Sequence, residues 1–167
     1  IAVNGRTIRE PGFRILPADT VTLDGRPVEP AGRFHYIMLN KPRGYVCTNA
    51  DPHAPRKAVD LIRLDPPVRL FSAGRLDKES EGMILFSNDG DYVARLTHPR
   101  YEIRKTYLVR VTREFTEPEL TRIRTGITDG GEHLRVISIA PAGNCLYRIV
   151  LNEGKKREIR RLTAAVG

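Results

Sequence analysis

The stretch Ala73-Gly74-Arg75-Leu76-Asp77-Lys78-Glu79-Ser80-Glu81-Gly82-Met83-Ile84-Leu85-Phe86-Ser87-Asn88-Asp89-Gly90 organises the reading of the chain. Gly74 frees the backbone for a tight approach, and Arg75 and Asp77 then flank Leu76. Gly82 leads into a short apolar run, Met83 to Phe86, which closes at Asn88-Asp89-Gly90, a strong turn signal. A run of that length between turn signals predicts a buried core strand. Asp77 is therefore expected on a loop entering that strand, its carboxylate held by a rigid neighbour. Loops anchored in this way are where reactive side chains concentrate. Taken alone, an aspartate near glycine is more often a turn residue, so the surrounding chain has to decide.

Bulk properties narrow the classes. The 167 residues suffice for one good core, or for one domain with a smaller appendage. The 40% apolar and 29% charged fractions fit a soluble globular protein. No apolar run approaches a membrane span and no signal peptide is visible. The first residue is Ile1, not methionine, which points to a processed or trimmed amino terminus. Cys47 and Cys145 have neither zinc-site spacing nor nearby histidines, and are expected as small buried residues in a reducing compartment. The net charge of +8 suits a polyanionic partner, and nucleic acid is favoured over a membrane because no long amphipathic anchor helix is evident.

Residues 1–31 read as a small unit. Ile1 to Val3 and Thr20 to Leu23 are strand-like, and each runs into a tight turn, Asn4-Gly5 and Asp24-Gly25. So few residues cannot form a core. Pro30-Ala31-Gly32 reads as a linker, and residues 32–167 as the main domain. There, Phe34 to Asn40 is expected as a central strand and Asp51 to Arg56 as a surface loop. A short helix is expected over Lys57 to Ile62, and another over Asp91 to Thr97, capped by the acidic residue. Ile103 to Val111 alternates, with Lys105, Tyr107, Val109 and Val111 on one face. Thr116-Glu117-Pro118-Glu119 opens a helix that Gly126 closes. Leu134 to Ile139 and Leu146 to Leu151 are further strands. Lys155 to Val166 has helical spacing, with Ile159, Leu162 and Val166 on one face. Helices scattered among strands predict an α+β fold: a mixed, mostly antiparallel sheet flanked by helices.

The last helix carries Lys155, Lys156, Arg157, Arg160 and Arg161, a density high for a merely solvated face. Arg160 follows the apolar Ile159 and can point partly inward, where an arginine favours the ionised form of a carboxylate. Asp77 is the candidate partner. Tyr107, beside Lys105, has two readings: a core ring, favoured on local grounds, or a ring that stacks on an unstacked RNA base.

Together these residues carry a family resemblance. Gly74-Arg75-Leu76-Asp77 with Ser80, Gly82 and Asn88-Asp89-Gly90 is similar to the catalytic signature of the bacterial ribosomal-RNA pseudouridine synthases of the RsuA type. Leu39-Asn40-Lys41-Pro42-Arg43-Gly44-Tyr45 resembles that family's first motif, and Lys105-Thr106-Tyr107 its tyrosine motif. Glu153-Gly154-Lys155-Lys156-Arg157-Glu158-Ile159-Arg160-Arg161 resembles the final one. Residues 1–31 resemble the back half of an S4-type RNA-binding domain, without its usual amino-terminal helices; the family's usual segment beyond Gly167 is likewise absent from the sequence.

The resemblance implies the pseudouridine synthase catalytic fold and isomerisation of a uridine in ribosomal RNA. Asp77 is the implied catalytic carboxylate, acting either by covalent addition or by removing a ribose proton. Arg160 is implied to hold Asp77 ionised, and Ile159 to pack against the site. Tyr107 is implied to stack on the base and help remove the C5 proton, and Arg75 to fill the gap left by the extracted nucleotide. Contacts to flanking phosphates are expected from Lys41, Lys78, Arg104, Lys105, Lys156, Arg157 and Arg161, offsetting the few kcal/mol of unstacking. No metal or organic cofactor is expected, and no Walker loop or dinucleotide fingerprint is present. The expected partner is ribosomal RNA, with no membrane, for a cytoplasmic monomer. The amino-terminal half-domain and surface loops such as 48–56 and 126–133 are expected to select the uridine. Two rivals stand beside this reading. One is a non-catalytic RNA-binding or ribosome-associated module, which needs the basic face but not Asp77. The other is a glycosidase pairing Asp77 with Glu79 or Glu81, disfavoured because tryptophan, the usual sugar platform, is absent.

Overall fold

The computed structural model describes residues 1–29, 32–48 and 56–167. The linker read at 30–32 and the loops read at 51–56 and 48–56 lie outside the described residues, save Gly32, Thr48 and Arg56. The chain divides into two compact units, Ile1–Phe34 and His35–Gly167.

The first unit is an antiparallel sheet of β1 (Ala2–Val3), β2 (Arg6–Thr7), β3 (Val21–Leu23) and β4 (Arg26–Pro27), in the order β2-β1-β3-β4. Both hairpins turn on two residues with positive φ: Asn4 (49°) with Gly5 (79°), and Asp24 (50°) with Gly25 (78°). This geometry matches the right-handed twist of the strands. Val3 is the buried apolar residue among those described here. Side-chain hydrogen bonds do much of the holding instead. Asn4 donates to Asp19 Oδ1 at 2.8 Å and accepts from the Thr20 N–H at 2.9 Å.

The second unit opens with β5 (Tyr36–Lys41), a 3₁₀ turn (Ala58–Leu61), β6 (Phe71–Ala73), β7 (Gly82–Ser87) and α1 (Gly90–Thr97). It continues with β8 (Lys105–Arg110), α2 (Glu117–Thr125), β9 (Ile127–Asp129), β10 (Glu132–Leu134), β11 (Ser138–Gly143), β12 (Leu146–Leu151) and α3 (Glu158–Ala164). One three-stranded sheet has the order β5-β7-β6 and another β11-β12-β8, while β9 and β10 form a hairpin. Strand pairing is antiparallel throughout these sheets, with an isolated parallel bridge between Val46 and Lys57. The fold is α+β with a mixed, mostly antiparallel arrangement.

Several expectations need correction. β7 is the middle strand of its sheet and β5 an edge. β7 is not buried along its whole length: Ile84 and Phe86 are inside, while Met83 on the opposite face is 66% exposed. Asp89, not Asp91, caps α1, accepting the Tyr92 N–H at 3.0 Å. Its side chain stands at the distance along the chain that N-capping requires. The expected strand over 134–139 is interrupted, because Leu134 ends β10 and Ser138 starts β11. The segment read as a loop at 126–133 contributes the β9–β10 hairpin, turned by Gly130 and Gly131. α3 starts only at Glu158, after Arg157 in a left-handed conformation (φ 52°). Cys47 and Cys145 are half-buried, not core.

Two apolar clusters sit in this unit. The larger gathers Phe115 before α2 with Leu120, Ile123, Leu134, Ile139, Tyr147, Ile149, Leu151 and Leu162 from α2, β10–β12 and α3. Val166 and the half-buried Ile159 join it, so the α3 face expected from spacing is the buried one. The smaller gathers Ala58, Leu70, Ile84 and Phe86.

Candidate active site

The loop between β6 and β7 carries Asp77. Gly74 (φ 94°) and Gly82 (φ 126°) bound it in conformations that side chains rarely adopt. Three backbone N–H groups then hold it: Leu76 donates to Cys47 Sγ at 3.4 Å, Gly44 to the Lys78 carbonyl at 2.8 Å, and Ser80 to the Asp77 carbonyl at 3.0 Å. Cys47 therefore anchors the loop.

Across from this loop stands α3. Arg160 Nε lies 3.7 Å from Asp77 Oδ2, an ion-pair distance longer than a hydrogen bond. The two side chains keep 44% and 34% exposure, so a ligand can reach them. The pair sits in a cleft of about 1020 Å³ walled by Arg75, Leu76 and Asp77 on one side and Tyr107, Ile159 and Arg160 on the other. This is the upper end of the range of roughly 300–1,000 Å³ for small-ligand sites, enough for a nucleoside. Tyr107 is half-buried on the inner face of β8, as the alternation requires. Burial foremost, with the Glu158 and Asp77 carboxyls beside it adding to the effect, pushes its hydroxyl above the usual phenol value. Its ring is therefore a neutral phenol at neutral pH.

The basic residues do not all serve the cleft. Arg75 and Arg157 line it. Lys78, Arg104 and Lys156 are exposed outside its lining. The half-buried Lys105 points its ammonium at the Asn152 carbonyl at 3.5 Å. Lys41, expected on a phosphate, is wholly buried. Its ammonium donates to the carbonyls of Pro42 at 3.0 Å and Tyr45 at 2.9 Å, and burial lowers its pKa. It closes a turn from inside and cannot meet RNA. Arg161 is likewise turned away, toward the β9–β10 hairpin. It pairs with Asp129 and, at 2.5 Å, with Glu132, and donates to the Asp129 carbonyl at 2.6 Å. Its charge is taken up by protein carboxylates.

The cleft also holds residues that local reading of the sequence passed over. Arg43 and Arg110 line it, the first paired with Glu81 at 3.3 Å. Glu158 lines it as a buried carboxyl. The spacing from Lys155 to Glu158 was the available signal, since an acid three residues on can bond back to the backbone before a helix. Among the described residues, no group of three His, Cys, Asp or Glu comes together to hold a metal ion. No described helix is long and apolar enough to cross a membrane.

A sequence profile of RNA pseudouridylate synthases matches residues 35–165, nearly the whole second unit. The chain belongs to the RNA pseudouridylate synthase family. The synthase is 34% identical over its full length to the ribosomal small subunit pseudouridine synthase A of Escherichia coli (strain K12), covering 73% of that protein. It is 35% identical to an uncharacterized RNA pseudouridine synthase of Aquifex aeolicus (strain VF5), again over its full length and 69% of the relative. The crystal structure of a pseudouridylate synthase superimposes with a TM-score of 0.75 at 26% identity, covering 99% of the synthase and 72% of the other chain.

Proposed function

We propose that this synthase isomerises a specific uridine of ribosomal RNA, flipped into the cleft, and that Asp77 is its catalytic carboxylate. The observation that carries this reading is the Asp77–Arg160 pair, reachable at the floor of a nucleoside-sized cleft. Relatives whose names specify the small ribosomal subunit support the choice of RNA.

In the reaction the C1′–N1 bond of the uridine breaks, the uracil turns, and C5 bonds to C1′. The C5 proton is lost and N1 gains one, so nothing is oxidised or hydrolysed. Asp77 acts on the ribose by covalent addition or proton removal, and Arg160, 3.7 Å away, aims it. The Tyr107 hydroxyl holds its proton at neutral pH, which suits stacking on the base and works against proton abstraction. Stacking is the role assigned to it here. Ile159 supplies an apolar wall, and Arg75, exposed at the cleft edge, fills the space the nucleotide leaves. Arg157, Lys78, Arg104 and Lys156 are the cations left to meet flanking phosphates. The first unit, read as part of an S4-type domain over residues 1–31, adds further RNA contacts, and the work is done in the cytoplasm.

The test is Asp77→Asn. Turnover on ribosomal RNA transcripts labelled with tritium at uridine C5 is expected to fall at least about a thousandfold, as for loss of a group acting only in the transition state. RNA affinity should change less than about threefold, since the variant removes no phosphate contact. Tritium release at the parental rate would overturn the reading in favour of an RNA-binding module.

A further inference from the structure

Glu158 opens α3 yet is only 3% exposed, in the wall of the same cleft as Asp77, Tyr107 and Arg160. Its Oε2 accepts the Lys155 N–H at 3.0 Å, and its own N–H donates to the Lys155 carbonyl at 3.2 Å. That reciprocal pair closes the turn that delivers Ile159 and Arg160 to the cleft. Its Oε1 is buried and has no hydrogen-bond partner among the described residues. The nearest cation on its own segment is engaged elsewhere, because the Lys155 ammonium bonds Glu153 at 2.9 Å and the His133 carbonyl at 2.6 Å. The Lys155 charge still favours the anion, but a buried carboxylate with one oxygen left unbonded is costly, and burial drives such a group toward taking up a proton.

We propose that Glu158 is a positioning residue that works as a neutral carboxyl: it locks the turn before α3 while sparing Asp77 a second anion at the floor of the cleft. The inference rests on the reading of Asp77 as the acting carboxylate. The titratable and charged groups facing Glu158 are Glu153 and Lys155 on its own segment and Tyr107 on β8, with Asp77 and Arg160 across the same cleft. Burial foremost raises the Glu158 pKa, the Lys155 N–H opposes the rise, and Glu153 adds to it. The neutral form therefore persists below the raised value, and the anion appears as pH rises through it.

The experiment compares Glu158→Ala and Glu158→Gln by tritium release across pH, with carbon NMR titration of the Glu158 carboxyl in the RNA-free protein. Glu158→Ala should lower kcat about tenfold with KM changed less than about twofold. Glu158→Gln, which hydrogen-bonds but cannot ionise, should restore most of that loss and remove the decline that the parent shows as pH rises through the Glu158 titration. The carboxyl should titrate above the ordinary value of 4.5. A glutamine variant as impaired as the alanine one, an unchanged pH profile, or a carboxyl that titrates below the pH at which the parent is most active would each overturn the proposal. If Glu158→Ala does not fold, the glutamine profile and the titration still decide. Failure of the Asp77 reading shows separately, as tritium release by Asp77→Asn, and leaves the titration unaffected.

Discussion

On one side of the cleft, Asp77 rides a loop pinned by backbone: glycines at φ 94° and 126°, N–H bonds from Gly44, Leu76 and Ser80, and a small apolar cluster beneath. On the other, Arg160 rides a seven-residue helix, too short to stand alone. There a large core and side-chain charges do the holding, with Arg161 clamped to Asp129 and Glu132 and Lys155 bound to Glu153 and the His133 carbonyl. The acid is thus placed by backbone geometry and its partner by packing and electrostatics. The two sides should fail under different insults: conformational strain on the first, salt and pH on the second.

The largest effect is expected from Lys41→Met, which takes the buried donor away from the Pro42 and Tyr45 carbonyls. At about 1–3 kcal/mol per unsatisfied group, denaturant unfolding should show a loss of about 3 kcal/mol. The salt dependence of RNA binding should stay as it was; a shallower slope would return Lys41 to the phosphate contacts. Next comes Gly74→Ala, which forces a side chain into a positive φ at a cost of about 1–3 kcal/mol. Because it shifts the Asp77 loop, kcat should fall about tenfold to a hundredfold, with Arg160 variants showing no added strain. A variant as active as the parent would contradict the claim that backbone places the acid.

On the other side, Asp129→Asn combined with Glu132→Gln removes the two anions that face Arg161. Stability should drop by about 1 kcal/mol, as expected for an exposed ion-pair network. Activity should become less sensitive to added salt than in the parent, since the screened interaction is gone. Unaltered salt dependence would show that the hairpin does not brace α3. The smallest effect belongs to Glu119, which accepts from Arg113 Nη1 and Nη2 and from the Thr116 N–H at the start of α2. Arg113 foremost holds its pKa down to about 2. A depressed folded value stabilises above the unfolded one near 4.5 and is lost as pH falls toward about 2. Glu119→Gln should flatten the melting temperature across that window and leave the cleft's activity at neutral pH as before.

Much of this was legible locally. The alternation of β8 places Tyr107 and Val109 inward because successive side chains in a strand face opposite ways. Thr116 and Glu119 form the capping box their spacing implies, and Leu146 to Leu151 is a strand with the expected ends. The hairpin at 127–134 was missed because Asp129, Gly130, Gly131 and Glu132 look like any polar loop until the apolar Leu134 finds the core. Arg161 could not be told from Arg160 by composition. Its partners lie 32 and 29 residues away, and nothing within a helical turn points to them. For Glu158 the spacing from Lys155 pointed to the turn, but its burial in the cleft wall shows only in the folded chain.

The order of residues alone set the conformations that neighbours within a few positions control: glycine-bounded loop, capped helices, alternating strands, and an aspartate delivered at the loop's middle. Tertiary structure alone decided where each charge points. A cation's direction follows the anion or carbonyl that folding brings to it, so of two adjacent arginines one meets Asp77 and the other braces a hairpin. Short-range sterics can be read along a chain, whereas long-range electrostatics exist only once the chain has closed on itself.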